Sequence, residues 1–76
     1  MDRTEDLLLD REVKLFAMSA IIKRTNGAAT TTRNLLGWRR CESIDAAVGS
    51  FVVAVLGDVE NEGFSISEIL RMEIPE

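Results

Sequence analysis

Between Ser43 and Gly63 the apolar residues Ile44, Ala47, Val48, Phe51, Val52, Val55, Leu56 and Val59 recur at intervals of three and four. That is the period of one helix face. Ser43 offers a side-chain oxygen to the first turn, and Asp45 sets a negative charge near the positive end of the helix dipole. Gly63 supplies a stop, because glycine enters the left-handed region at little cost. The spacing predicts a helix over 44–60. One amphipathic helix has nothing of its own to bury against, so the rest of the chain must provide the opposing layer.

The flanking segments read as strands. Asn26-Gly27 is a strong hairpin signal, because both central residues of a type I′ turn need positive φ. Before it, residues 12–24 carry apolar side chains on both alternating sets: Phe16, Met18, Ala20 and Ile22 on one, Val13, Leu15, Ala17 and Ile21 on the other. After it, Thr30-Thr31-Thr32 is a β-branched run that suits a strand better than a helix. Strands are therefore predicted over 12–24 and 29–40, with a helix running on from Thr4 through 12–24 as the alternative, since Leu, Ala and Met there favour helices. A turn centred on Asn26-Gly27 would pair Leu15 with Trp38, Ala17 with Leu36, and Phe16 with Gly37, and would set Lys14 unfavourably opposite Arg39. Residues 64–74 alternate as a third strand, with Phe64, Ile66, Leu70, Met72 and Ile74 on one face and Ile69 out of phase. Ser65-Ile66-Ser67-Glu68 is a competing capping-box signal for a short helix there. At 2–10, around Leu7, Leu8 and Leu9, a short helix or extended arm is expected.

The 76 residues thus describe one α+β domain of ββαβ order, a helix on a three-stranded antiparallel or mixed sheet. Strand three belongs beside strand one, giving the order two–one–three. An all-α, winged-helix-like fold is the alternative. The helix covers one sheet face only. The other would still present Leu15, Ala17, Ile21, Leu36 and Trp38, with Arg33, Arg39 and Arg40 around the tryptophan. A domain this small rarely leaves such a patch without use. A protein partner is expected there, most simply a second copy, so a homodimer is expected.

Little in the composition supports chemistry. There is no histidine, and Cys41 is the single cysteine. Carboxylates alone make a poor zinc site, and Asp58, Glu60 and Glu62 lack the spacing of a calcium loop. Cys41 beside Arg39 and Arg40 has no histidine base to activate it. The glycines do not form a phosphate loop. No cofactor, no metal and no enzymatic activity are expected. The chain opens with Asp2, Glu5 and Asp6, unlike a signal peptide, and holds no apolar run of membrane-spanning length. With one cysteine, this points to the cytoplasm.

The net charge of −4 is unevenly placed: residues 1–40 carry +3 and residues 41–76 carry −7. Asp45, Asp58, Glu60 and Glu62 form a candidate acidic surface. Arg33, Arg39 and Arg40 around Trp38 could meet nucleic acid, but the overall charge disfavours it. Leu35-Leu36-Gly37-Trp38, a long helix, and Glu60-Asn61-Glu62-Gly63-Phe64 loosely resemble the recognition helix and wing of bacterial repressors. That resemblance implies a small DNA- or RNA-binding regulator, yet no Lys or Arg lies between 42 and 60 to read a groove. In size, acidity and layout the chain also resembles small phage and mobile-element products, anti-CRISPR proteins among them. By analogy of architecture, that implies a stoichiometric inhibitor of a host protein complex.

Overall fold

The computed structural model describes residues 13–75. The arm expected at 2–10 lies outside the described residues. Strands β1 (Lys14–Asn26) and β2 (Ala29–Cys41) form a hairpin, followed by helix α1 (Ile44–Gly57), a 3₁₀ turn (Val59–Asn61) and strand β3 (Ser65–Ile74). The sheet order is β2-β1-β3, and both pairings are antiparallel. The strand reading of residues 14–26 and 65–74 therefore prevails over the helical one, and the winged-helix alternative is set aside. Among the described residues, no helix is long and apolar enough to cross a membrane.

The hairpin differs from expectation in its turn. Asn26 pairs with Ala29, so the two residues between them are Gly27 and Ala28. Gly27 has φ 65, and no described non-glycine residue has positive φ. Positive φ at the first central position alone is the type II′ pattern, which needs one glycine rather than an Asn-Gly pair. Partners consequently move by two residues: Ala17 faces Trp38, Met18 faces Gly37, and Phe16 faces Arg39. A shift of two, being even, moves no side chain from one face of the sheet to the other. It also removes the Lys14–Arg39 conflict. Lys14 now lies opposite Cys41, and its Nζ is 3.7 Å from Glu73 Oε1 on β3.

Ser43 caps α1 by accepting from Ala46 N at 3.2 Å. Ala47, Phe51 and Val55 are buried against the sheet, where they meet Phe16, Met18, Ala20, Ile22 and Phe64. Gly37 is required by this contact. A Cβ placed on it would stand 2.5–2.6 Å from Cε1 and Cδ1 of Phe51. Gly49 and Gly57 meet nothing of the kind and make no close approach.

The helix is shorter than its apolar spacing predicts. It ends at Gly57 rather than 60, and Leu56 and Val59 are exposed. Asp58 starts the 3₁₀ turn, its Oδ1 accepting from Glu60 N at 3.0 Å. The buried Asn61 then returns to donate from Nδ2 to the Val55 carbonyl at 2.9 Å. That bond satisfies one of the carbonyls a helix end leaves unpaired. Asn61→Ala should cost about 1–3 kcal/mol, because it strands a buried acceptor. Urea unfolding measures this, and a loss below about 0.5 kcal/mol would mean the helix end is held by other contacts.

In β3 the pairing with β1 slips between Ile21↔Glu68 and Ile22↔Ile66, which leaves Ser67 as an extra residue. This β-bulge reverses the alternation partway along the strand. The expectation that Phe64, Ile66, Leu70, Met72 and Ile74 share one face is therefore corrected. Ile66 lies on the helix side with Ile69, while Glu68, Leu70, Met72 and Ile74 lie on the other. Unbroken alternation would have aimed Glu68 at the core and Ile69 at water. The bulge avoids burying a carboxylate and returns an isoleucine to the core.

Candidate interaction surface

Strand alternation divides the sheet into two faces. On the side away from α1, β1 presents Leu15, Ala17, Ser19 and Ile21. Register places Arg40, Trp38, Leu36 and Asn34 beside them on β2, and Ile74, Met72, Leu70 and Glu68 on β3. The large residues stand at the flanks. Leu36 is 75% exposed, Trp38 58%, Leu70 58% and Met72 57%. Small residues occupy the centre: Ala17 lies between Trp38 and Met72, and Ser19 between Leu36 and Leu70. The result is a groove along β1 of ≈ 320 Å³ with an apolar floor and walls. Its walls are two inter-strand spacings apart, about 9–10 Å. Ser19 Oγ donates to Asn34 Oδ1 at 2.7 Å, which ties down the polar group on the floor.

The residues predicted for this surface separate. Leu15, Ala17, Ile21, Leu36, Trp38 and Arg40 share the open face. Arg33 and Arg39 do not, since both lie in β2 at positions that alternate with Trp38. Arg39 reaches the helix, its Nε donating to Ser50 Oγ at 3.0 Å, and its NH1 donates to the Trp38 carbonyl at 2.8 Å. Arg33 donates to the Glu60 carbonyl at 2.8 Å and to Asn61 Oδ1 at 3.4 Å. A basic strip around the tryptophan is thus not assembled: two of its three arginines brace the helix side. Leu70 and Met72 were not expected on this surface, yet they form one wall of the groove. The sequence signal for them was Ile69, whose break in phase marks the bulge.

The acidic candidates do not form one surface, since they divide between the two ends of α1. Asp45 lies in the first turn of α1, and Asp58, Glu60 and Glu62 surround the 3₁₀ turn. All four are exposed. Asp58 and Glu60 line a second concavity between α1 and β2, together with Arg33 and Arg39. Its carboxylates and guanidinium groups are interspersed, so no field of one sign develops there. Among the described residues, no cluster of three or more His, Cys, Asp or Glu is arranged to hold a metal ion. Cys41 is a free, half-buried thiol at the end of β2.

The chain matches no family of known proteins, and neither the curated proteins nor the solved structures include one measurably similar to it.

Proposed function

We propose that this chain is a non-enzymatic protein-binding module that docks through its open sheet face. One observation supports the reading. Leu36, Trp38, Leu70 and Met72 stand more than half exposed on a single face. Apolar side chains gathered this way mark interaction sites on small domains. The charged residues of that face, Lys23, Arg40 and Glu68, lie at its ends rather than among these four. In the manner of the phage and mobile-element products it resembles, the module acts by occlusion, as a stoichiometric inhibitor of a host protein complex in the cytoplasm.

Retention of proteins from a lysate tests this, provided the variants are compared. Leu36→Glu places a charge on the open face, whereas Val53→Glu places one on the outer face of α1, where Val53 is 73% exposed. Proteins held by the wild type and by Val53→Glu, but lost with Leu36→Glu, are the expected result. Binding to DNA or RNA that falls steeply with salt would instead mark a nucleic-acid regulator.

A further inference from the structure

We propose that the occupant of the open face is a second copy of this chain, seated ridge into groove about a twofold axis parallel to the strands. This rests on the reading of that face as the docking surface and names what covers it in the free protein, where the second copy and a host protein compete for the same face. The shape of the face carries the first part of the argument. Two grooves stacked directly over one another would enclose a void, which packed interfaces avoid. Displacing the copies sideways by one inter-strand spacing, about 4.8 Å, removes it. The Leu36 and Trp38 ridge of each protomer then enters the groove of the other. A twofold along the strands keeps every residue at its own level. Trp38 therefore sits over the partner's Ala17, and Leu36 over the partner's Ser19, and the exchange is reciprocal.

Area carries the second part. At roughly 150–250 Å² for a large side chain, the exposed fractions of Leu36, Trp38, Leu70 and Met72 amount to about 500 Å² per copy. The displaced copies overlap through β1 and β2, and Leu70 and Met72 touch the inserted ridge from one side; with the half-buried Leu15 and Ile21 added, mutual burial comes to about 1,000 Å², the least a specific interface needs. Charge carries the third. Homodimer interfaces are the most apolar, and their centres are depleted in charged residues. The open face has its charges at the rim only: the offset brings Arg40 over the partner's Leu15 and beside the partner's Arg40, at the end of the strands, where both guanidinium groups can turn outward to solvent. A different protein selected by charge would find no complementary pattern here.

Light scattering of the full chain across a range of concentrations tests the proposal, together with the emission of Trp38, the single tryptophan. The wild type should show twice the mass of one chain. Its emission should be blue-shifted and should move to the red on dilution. Leu36 is already 75% exposed, so Leu36→Glu should leave the circular dichroism of the folded protein nearly unchanged and should lower the unfolding temperature only by the stabilisation that dimerisation itself supplies. It should raise the dimer dissociation constant at least about 100-fold, because a twofold interface carries each substitution twice. Val53→Glu should remain dimeric. A dimer broken by Val53→Glu and not by Leu36→Glu would overturn the proposal and place the contact on the helix. A monomer at all concentrations with a solvent-exposed Trp38 would also overturn it, and would leave the face open for a different protein. A monomer with a shielded Trp38 that becomes exposed when residues 1–12 are deleted would overturn both this proposal and the docking reading, since the chain would then cover its own face.

Discussion

Phe51→Ala is expected to destabilise the domain by about 3–5 kcal/mol, the usual cost of emptying an aromatic site in a core. Stabilities of small domains lie near the low end of about 5–15 kcal/mol, so much of the population should unfold at moderate temperature. The ring is 3% exposed, rests on Gly37, and has the Arg39 guanidinium 6.0 Å from its centroid. Val53→Ala, on the outer face of the same helix, should change stability by less than about 0.5 kcal/mol. Gly37 offers a sharper check. Alone, Gly37→Ala forces its Cβ into the ring and should cost about 1–3 kcal/mol. Combined with Phe51→Ala, the same methyl enters a cavity and should cost little or nothing. Strictly additive losses in urea unfolding would show that the ring does not rest on Gly37.

Phe64→Ala should cost a similar about 3–5 kcal/mol. Phe64 closes the core where β3 begins, and it is 7% exposed. The guanidinium carbons of Arg24 and Arg33 lie 4.7 Å and 4.6 Å from its ring centroid. Each such contact at an exposed site is worth about 0.5–1 kcal/mol. Phe64→Leu keeps most of the buried volume but removes the ring, so it should cost about 1–2 kcal/mol. A neutral Phe64→Leu would show that the arginines contribute only their aliphatic stems. These contacts also explain why Arg33 is unavailable to the open face. Its guanidinium is held between the Phe64 ring and the Glu60 carbonyl.

Local features were legible in the sequence. The start of α1 follows from Ser43 and from a 3.6-residue period that needs no knowledge of the partner layer. The strand pair follows from a glycine turn and a threonine run, and the central place of β1 from its apolar residues on both faces. The sorting of the apolar residues of β1 and β2 into an open and a covered face also survived, because the turn moved the register by an even number of residues, whereas Arg33 and Arg39 proved to lie on the covered side. Three things were decided only by tertiary structure. The register depended on whether Asn26 or Ala28 joined Gly27 in the turn, and strand pairing settles that by separating Lys14 from Arg39. The helix end depended on Asn61, which returns from beyond the 3₁₀ turn to cap a carbonyl that no local pattern assigns to it. The open face depended on Ser67. Only when β3 lies against β1, with a core ready for Ile69 and none for Glu68, does bulging out one residue cost less than burying a charge, and that choice turns Leu70 and Met72 outward to face Trp38 and Leu36 across the groove.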